Sequence, residues 1–394
     1  MAISSIKDLD VKGKRVLCRV DFNVSVDKNT GAITDDTRVV KALPTIEDIL
    51  DRGGRLALCS HFGRPKGEPN PKYTLKPVAD CLSKHLGKPV AFATDCIGEA
   101  ALQVVNGLGD GEVCLLENLR YHPGEEKDDP EFCKQLAALA DVYVNDAFGA
   151  AHRAHASVHG VAKHFTARAP GFLLEKEIDY LTKATQNPER PFVAILGGAK
   201  VSDKIKVIDN LLSKCDTMLI GGAMAYTFLK AQGLPTGKSL VEEDKVELAK
   251  SLLAKAKESG KKLMLPVDHV VAAKIEANVA NKVVPADGIP ADEMGLDIGP
   301  KTRELYAAEI KRARMVVWNG PLGVFETEPF NKGTFAIAEA VAASEATAIV
   351  GGGESVSAVK KAQVADKIAH ISTGGGASLK FLEGSTLPGI AALA

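Results

Sequence analysis

Short apolar runs alternate with amphipathic stretches along the whole chain of 394 residues. The runs have the length and composition of strands buried on both faces, and the stretches between them repeat their apolar residues with helical spacing. The predicted strands are Arg15–Val20, Arg55–Ser60, Val113–Glu117, Asp141–Asn145, Phe192–Leu196, Thr217–Ile220, Lys262–Leu265, Met315–Trp318, Thr347–Val350 and Ile368–Ile371, and the helices include Leu75–Leu86, Asp203–Ser213, Glu242–Ser259 and Lys332–Ala343. This alternation predicts an α/β fold of parallel sheets with helices on both faces.

Residues 166–191 are the best candidate for a boundary between two domains. A Pro170–Gly171 loop leads into a charged helix and a polar stretch, and a new apolar strand then begins at Phe192. We therefore predict an N-terminal domain of residues 1–170 and a C-terminal domain of residues 171–384 that includes the joining helix. The tail, residues 385–394, is apolar for a terminus, so we expect it to pack on the protein.

The charge balance narrows the range of functions. Lys and Arg number 49 and Asp and Glu 50, so the chain has no global attraction for nucleic acid or an anionic membrane. The seven cysteines form no CxxC pair and no Cys/His cluster with zinc spacing, which favours buried thiols in a reducing compartment. No signal peptide or spanning segment is visible, so we expect a soluble cytoplasmic protein.

Polar and cationic residues follow the predicted strands of the N-terminal half. They are Asp21 and Asn23, His61 and Arg64, Arg120, and His152 and Arg153, while Arg38 opens the first long helix. A single Arg here would be a surface charge or a local salt bridge, but their recurrence after successive strands predicts a site for a multiply charged anion. For His155 and His159 we expect structural hydrogen bonds.

Glycine-rich turns follow the strands of the C-terminal half. They are Gly197–Gly198 with Lys200 and Lys204, Gly221–Gly222, Asn319–Gly320 with Glu326, Gly351–Gly353 with Glu354 and Ser355, and Gly374–Gly376. Glycine permits tight turns anywhere, but several such turns beside lysines predict a phosphate site for a nucleotide. The segment Gly233–Ser239 resembles a Walker A loop. It is one residue short and follows a helix, so we reject that interpretation.

These motifs resemble the phosphoglycerate kinase family over essentially the whole chain. The similar segments are Asp21–Val24, Ser60–Pro65, Glu117–Arg120, Asn145–Ser157, Gly197–Ile205, Trp318–Glu326, Gly351–Ser355 and Ser372–Ser378, in the order of the family. The resemblance implies two doubly wound (Rossmann-like) domains joined by a hinge helix, with the C-terminal tail returning to the N-terminal domain. It also implies Mg²⁺-dependent phosphoryl transfer between 1,3-bisphosphoglycerate and ADP, in glycolysis and gluconeogenesis.

The resemblance also implies roles for individual residues. The 3-phosphoglycerate or 1,3-bisphosphoglycerate would bind to Asp21, Asn23, Arg38, His61, Gly63, Arg64, Arg120 and Arg153. ADP or ATP would bind to Lys200, Lys204, Asn319, Glu326, Gly352, Gly353, Glu354 and Ser355. Arg38, Lys200 and the helix N-termini at Gly353 and Gly376 would stabilise the transferring group, and Glu354 would contact Mg²⁺.

Two positions depart from the family pattern. Ser25 stands where the family usually has Pro, and Glu354 stands where it usually has Asp. Ser25 removes no ligand, although it loosens its loop. Glu354 keeps a carboxylate but is one methylene longer, and Mg²⁺ demands near-ideal octahedral geometry, so the ion or an intervening water must shift.

Phosphoryl transfer of this kind depends on positioning and positive charge and requires no general base, which agrees with the absence of a Ser–His–Asp signature. We expect hinge closure to exclude water from the acyl phosphate. One alternative is a nicotinamide-dependent dehydrogenase, but the chain lacks a GxGxxG fingerprint. A nucleic-acid binder is disfavoured by balanced charge and few aromatic residues, and a catalytically inactive relative is disfavoured because both half-sites are filled apart from the Glu354 change. No motif demands an oligomer, so we expect a monomer.

Overall fold

The structure, a computed structural model, describes residues 3–27 and 29–394. The chain forms two compact units. The first ends at Asp179 and also contains Thr386–Ala394, and the second is Tyr180–Ser385. The division falls inside the helix Phe172–Gln186, whereas the sequence analysis begins the second domain at residue 171.

The first unit contains a six-stranded sheet whose neighbouring strands are all parallel. Its strands are β1 (Arg15–Arg19), β4 (Arg55–Cys59), β5 (Ala91–Ala93), β6 (Val113–Leu116), β7 (Val142–Asn145) and β8 (Arg168–Pro170). The unit also contains a separate two-stranded antiparallel hairpin of β2 (Ser25–Val26) and β3 (Ile33–Asp35). The order across the sheet is β5-β6-β4-β1-β7-β8. Because the strands are parallel, their carboxyl ends lie along one edge of the sheet.

The helices of the first unit cover this sheet. They are α1 (Thr37–Asp51), α2 (Lys76–Leu86), α3 (Gly98–Asn106), α4 (Pro123–Lys127), α5 (Pro130–Ala137) and the helix α6 (Phe172–Gln186) that crosses into the second unit. Apolar faces of α1 and α2 pack with strands β1 and β4 in an apolar cluster that includes Ile46, Leu82 and Leu58. The amphipathic pattern of these helices thus accounts for the burial of one sheet face.

The second unit contains another six-stranded parallel sheet. Its strands are β9 (Phe192–Leu196), β10 (Thr217–Ile220), β11 (Lys262–Met264), β15 (Met315–Asn319), β16 (Thr347–Gly351) and β17 (His370–Ile371), in the order β11-β10-β9-β15-β16-β17, and a smaller antiparallel sheet contains β12 (Asp268–Ala272), β13 (Asn281–Pro285) and β14 (Met294–Ile298). Every residue of β9 and β15 is buried, as a central parallel strand requires.

The helices of the second unit are α7 (Ile205–Leu212), α8 (Met224–Ala231), α9 (Val246–Glu258), α10 (Pro300–Arg312), α11 (Lys332–Ala343), α12 (Gly353–Lys361) and α13 (Gly376–Leu382). The predicted helix Glu242–Ser259 is divided, because a 3₁₀ turn at Glu243–Lys245 precedes α9. The predicted strand Ile368–Ile371 shortens to β17, because a 3₁₀ turn at Ala365–Lys367 ends at Ile368. The antiparallel sheet was not predicted.

The C-terminal tail packs within the first unit through the short helix α14 (Pro388–Ala391). The Gly389 N–H donates to the Ala151 carbonyl at 2.9 Å, and Arg168 Nη2 donates to the Ala394 carbonyl at 2.7 Å. Leu387 and Leu393 are buried. Among the helices of the described residues, none is long and apolar enough to cross a membrane.

Candidate active site

The predicted anion-binding residues of the first unit lie at the carboxyl edge of its sheet. Asp21 follows β1, His61 follows β4, and Asn118 follows β6 and opens the 3₁₀ turn Leu119–Tyr121 that carries Arg120. Arg153 follows the 3₁₀ turn Phe148–Ala150, beyond β7. The strand order β6-β4-β1-β7 makes these four loops successive neighbours along one edge, where open α/β sheets bind ligands.

Arg38 and Asp21 form an ion pair at this edge, with Arg38 Nη1 donating to Asp21 Oδ2. Arg38 lies in the first turn of α1 and keeps about 40% of its side chain exposed. Burial would raise the pKa of the Asp21 carboxyl, but the nearby His61, Arg38 and Arg19 lower it, and the net shift is downward. Asp21 is therefore ionised at neutral pH and holds Arg38 beside the site.

Asn23 and Arg120 both fix the loop that contains Gly63. Asn23 Oδ1 accepts from the Gly63 N–H at 2.9 Å, and Arg120 Nη1 donates to the Gly63 carbonyl at 2.7 Å. Gly63 has φ of 59°, and a Cβ there would lie 2.3 Å from the ring of Tyr73, so only glycine fits. Arg120 Nε also contacts Glu126 Oε1 at 3.1 Å, which positions its fork.

His61 is held by Arg19, a residue that the sequence analysis did not single out. Arg19 is 1% exposed and donates from Nη2 to His61 Nδ1 at 3.0 Å, and its Nε donates to Ser157 Oγ at 2.8 Å. Burial and then the charge of Arg19 lower the pKa of His61 well below its usual value, so the ring is neutral. Since Nδ1 accepts from Arg19, the ring hydrogen lies on Nε2, which can donate to a ligand. The signal for Arg19 was a charged residue directly after the apolar run Val16–Cys18 of strand β1, at a position that is buried.

The remaining predicted cations differ in their surroundings. Arg64 is exposed, and Arg153 is partly buried with its Nε donating to His152 Nε2 at 3.3 Å. His159 Nδ1 pairs with Asp128 Oδ2 at 2.6 Å, which is the structural bond expected of it. His155 Nδ1 lies 4.0 Å from Glu125 Oε1, and burial followed by the charges of Arg120 and Arg153 lowers the pKa of His155 to about 4.

The glycine turns of the second unit lie at the carboxyl edge of its own sheet. The end of β9 approaches the end of β15, where the Gly197 N–H donates to the Asn319 carbonyl at 3.0 Å and the Gly198 N–H to the Pro321 carbonyl at 2.9 Å. A Cβ at Gly320 would lie 2.2 Å from the Gly197 carbonyl oxygen. This glycine is therefore required for the close approach of the two loops.

Lys204 and Asn319 form the polar centre of this edge. Lys204 Nζ donates to Asn319 Oδ1 and, at 3.3 Å, to the Asn319 carbonyl. Burial lowers the pKa of Lys204 to about 8, although Glu354 and Asp203 raise it in part. Ser355 is fully buried and its Oγ accepts from the Gly320 N–H at 2.6 Å, so its hydroxyl holds the loops together.

The glycine loops differ in how much open space faces them. Nothing lies within 4 Å of a Cβ built at Gly353, which is the first residue of α12, whereas one at Gly352 would lie 3.1 Å from Asn319 Nδ2. Lys200 and Gly376 are exposed, and Gly376 is the first residue of α13. The N–H groups at the start of α12 are therefore accessible to an anion.

An apolar cavity of about 270 Å³ lies beside these loops within the second unit. Its walls include Tyr226, Leu240, Met294, Leu296 and Leu322, and two carboxylates, Glu326 and Glu354, also line it. The two glutamates were predicted from the sequence, but the apolar wall was not. The residues of this wall come from α8, β14 and loops that are far apart in the chain. An apolar cavity lined by the glycine loops, in a unit that also presents Lys204 and the N–H groups at the start of α12, suits a ligand with an aromatic ring and phosphates.

The Gly233–Ser239 segment follows α8 and does not lie between a strand and a helix, which confirms its rejection as a Walker A loop.

The first unit contains Arg and His donors suited to an acidic, phosphorylated small molecule. The second combines an apolar cavity with phosphate-binding backbone. Phosphoryl transfer between two such ligands needs both sets of groups.

Comparisons with known proteins agree with this chemistry. The sequence model of the phosphoglycerate kinase family matches residues 6–385. A phosphoglycerate kinase of Chlorobium luteolum is 58% identical over 396 residues, and one of Solibacter usitatus is 60% identical over 396 residues; both matches cover 100% of each chain. The solved structure of phosphoglycerate kinase from Coxiella burnetii is similar with a TM-score of 0.94 at 42% identity, covering 100% of this chain and 99% of that one.

Proposed function

This chain belongs to the phosphoglycerate kinase family, and we propose that its two units divide the substrates of that reaction between them. The chain is a phosphotransferase that moves a phosphoryl group reversibly between 1,3-bisphosphoglycerate and ADP, giving 3-phosphoglycerate and ATP. The observation that carries the division is the contrast between the Arg and His donors of the first unit and the apolar cavity of the second.

The first unit binds the phosphoglycerate. Arg64, Arg120 and Arg153 pair with its phosphate oxygens, since guanidinium forks match phosphate geometry. His61 donates from Nε2, because Arg19 occupies Nδ1. Asp21 and Asn23 accept from and donate to the substrate hydroxyl. The Gly63 backbone fixes the position of the loop that contains His61 and Arg64, through its hydrogen bonds with Asn23 and Arg120.

The second unit binds ADP or ATP. The adenine ring occupies the apolar cavity, and Glu326 at its rim accepts from the sugar hydroxyls. Lys204 and the N–H groups that start α12 at Gly353 contact the phosphates, with Gly352 allowing the loop to turn. Asn319 positions Lys204, and Ser355 holds the adjacent loop from beneath.

Glu354 fits the Mg²⁺ ion that nucleotide phosphates carry. Its carboxylate is exposed, lies in the first turn of α12 and lines the nucleotide cavity with Glu326. Two carboxylates beside a polyanion would repel it unless a cation lies between them, and carboxylate oxygens are ligands that Mg²⁺ prefers. When bound, the ion neutralises charge on the phosphates.

Positive charge performs the catalysis, with no proton transfer by a side chain. The phosphoglycerate carboxylate and the terminal ADP oxygen are both ionised near neutral pH, so neither nucleophile has a proton to lose. The transferring group spreads its charge over three oxygens, which Arg38, Lys200 and the N-termini of α12 and α13, at Gly353 and Gly376, stabilise. His61 is neutral and acts as a hydrogen-bond donor.

We further propose that the chain acts as a cytoplasmic monomer. Its predicted substrate ligands all come from one chain, and each set lies inside one compact unit. Formal charges of 49 Lys and Arg against 50 Asp and Glu give no attraction toward nucleic acid or an anionic membrane.

The experiment that tests the proposal combines turnover with mapping of both ligands on the full chain. Turnover is followed with MgATP and 3-phosphoglycerate by coupling the product to glyceraldehyde-3-phosphate dehydrogenase and NADH. Hydrogen exchange is then measured with each substrate alone. We expect 3-phosphoglycerate to protect amides near 61–65 and 118–121, and MgADP to protect those near 197–204 and 351–356. Protection of the second unit by 3-phosphoglycerate would contradict the division, and absence of turnover would contradict the activity.

A further inference from the structure

Three potential metal ligands meet on the first unit, and none of them is among the predicted substrate-binding residues. Asp36 is the N-cap residue of α1, and Cys81 and His85 lie four positions apart on α2, where they share one helix face. Asp36 is distant from the other two in the sequence, which is why spacing alone predicts no cluster of this kind. Packing of α1 against α2 brings them together.

The distances among the three ligand atoms suit a small cation. One carboxylate oxygen of Asp36, Sγ of Cys81 and one ring nitrogen of His85 all lie within 4.8 Å of one another, and His85 Nε2 is 2.9 Å from Asp36 Oδ2. Ligands of a tetrahedral zinc ion at bond lengths of about 2.0–2.3 Å stand roughly 3.3–3.8 Å apart. Shifts of side-chain rotamers of the order of 1 Å would therefore complete the arrangement.

The three residues are accessible from solvent. They line a cavity of about 740 Å³ together with Asp80, Lys84 and part of strand β3. Among the described residues, Cys81 is the one cysteine that is partly exposed, and the other six are buried. A cation can therefore reach the thiol and keep a water molecule in its fourth position.

The charges around the cavity favour a cation when the thiol is ionised. Asp36 and Asp80 are acidic, and Asp80 pairs with Lys76, while Lys84 adds one opposing positive charge. Burial and then the charge of Asp36 raise the pKa of the Cys81 thiol, although Lys84 lowers it in part. Metal binding must therefore release this proton and strengthen as the pH rises.

We propose that Asp36, Cys81 and His85 form a binding site for a borderline-soft divalent cation such as Zn²⁺. A thiolate and an imidazole select zinc and its neighbours, whereas Mg²⁺ prefers oxygen ligands throughout. The bound ion would join the start of α1 to α2, so it stabilises the folded chain by its preferential binding to that state. The site is independent of the nucleotide's Mg²⁺ and of the proposed function.

A second triad in the same unit provides a matched control. Asp95, Cys96 and His122 also place three ligand atoms within 4.8 Å of one another. Asp95 Oδ1 is already bonded to the Cys96 N–H at 2.6 Å and to His122 Nε2 at 2.7 Å, and Cys96 is fully buried. Its thiol is therefore closed to solvent, and we expect no metal binding there.

The test uses the full chain, freed of metal by a chelator and titrated with Co²⁺, a spectroscopic substitute for Zn²⁺. We expect one equivalent of Co²⁺ to produce a thiolate charge-transfer band and tetrahedral visible bands that Zn²⁺ removes. Cys81→Ser should abolish the charge-transfer band. Since loss of an outer-shell partner alone weakens metal binding roughly 10–100-fold, His85→Ala should weaken it at least roughly tenfold. Cys96→Ser and His122→Ala should bind as the wild type does.

Thermal unfolding gives a second readout, because Zn²⁺ should raise the Tm of the wild type and of His122→Ala but not that of Cys81→Ser. Circular dichroism establishes that each variant is folded, and His85→Ala replaces Cys81→Ser if that variant is not. Absence of a band in the wild type, its persistence in Cys81→Ser, or its loss in Cys96→Ser or His122→Ala would each overturn the proposal.

Discussion

The two proposed sites, each for a phosphorylated ligand, are built from different parts of the polypeptide. In the first unit the carboxyl ends of the strands present long side chains, such as Arg38 and Arg120, held by partners of their own. In the second unit the corresponding ends present backbone N–H groups, and one lysine, Lys204, is held by Asn319. Side chains dominate one proposed site and backbone dominates the other.

The difference follows from how closely the loops approach one another. Around Gly320 and Gly197 the loops are so near that an added Cβ would lie 2.2 Å or less from a backbone oxygen. Loops this close have no room for large side chains, and the N–H groups that face open space are those that start α12 at Gly353. In the first unit the loops instead carry long side chains, and buried Arg19 donates to His61 from the strand β1.

This contrast predicts which substitutions should reduce the activity through each unit. If the proposed first site is correct, truncation of one of its side chains should remove a contact to the substrate and leave the backbone in place. In the proposed second site the backbone N–H groups remain after any substitution, so its response should depend on a few side chains, chiefly Lys204 and the walls of the cavity. The predictions below test this contrast, beginning with the largest effect.

Replacement of Arg38 by Ala should have the largest effect. The guanidinium is the group of the first unit that we place beside the transferring phosphoryl group, and removal of one such preorganised donor typically costs roughly 10²–10³-fold in kcat. We expect a loss of that size, with a smaller change in the KM for the nucleotide. The coupled assay with NADH measures both.

Arg55→Ala is the matched control for this variant. Arg55 also pairs with an aspartate, since its Nε contacts Asp110 Oδ1 at 2.8 Å, but it opens β4 at the opposite edge of the sheet. We expect its kcat to equal that of the wild type. An equal loss in both variants would show that any missing ion pair damages the unit, and the placement of Arg38 at the reaction would be wrong.

The second unit should respond to pH through Lys204. Because burial lowers the pKa of Lys204 to about 8, the side chain is charged below pH 8 and becomes neutral above it. A nucleotide binds the charged form better, so its affinity is retained below pH 8 and lost as the pH rises through that value. Calorimetry at saturating Mg²⁺ should show the Kd for ADP rising by up to about tenfold per pH unit above 8.

Lys204→Arg is the control, because a guanidinium stays protonated throughout this range. Its Kd for ADP should lack the rise above pH 8, even if its value at pH 7 differs from that of the wild type. The same rise in both proteins would assign the titration to another group and would remove Lys204 from the phosphate site.

The same contrast explains which parts the sequence predicted. Strand ends such as Asp21 and Gly197 were identified because an apolar run stops at a polar or glycine turn, and this signal is local. Four strands of the first parallel sheet and all six of the second followed from it. The edge strands β5 and β8 of the first sheet, each of three residues, were missed.

Features that depend on distant contacts were not predictable in this way. The role of Arg19 depends on its contact with His61, 42 positions away, and the apolar wall combines Tyr226 of α8 with Met294 of β14. The antiparallel sheet was missed because β13 is exposed at four of its five positions and lacks the apolar run of a buried strand. Tertiary packing, rather than local propensity, determines all three.

The smallest predicted effect lies in the wall of the nucleotide cavity. Leu240 lines this cavity yet is 53% exposed, so Leu240→Ala removes apolar contact with the adenine ring without emptying the core. Partial loss of three buried carbons should raise the KM for the nucleotide roughly twofold to fivefold and leave kcat unchanged. Leu305→Ala, at a leucine of α10 that is 44% exposed and lies outside the cavity wall, should leave both constants unchanged. If Leu240→Ala instead lowers kcat with no change in KM, the cavity does not hold the nucleotide's ring, and the second unit must bind its ligand through backbone groups and Lys204 alone.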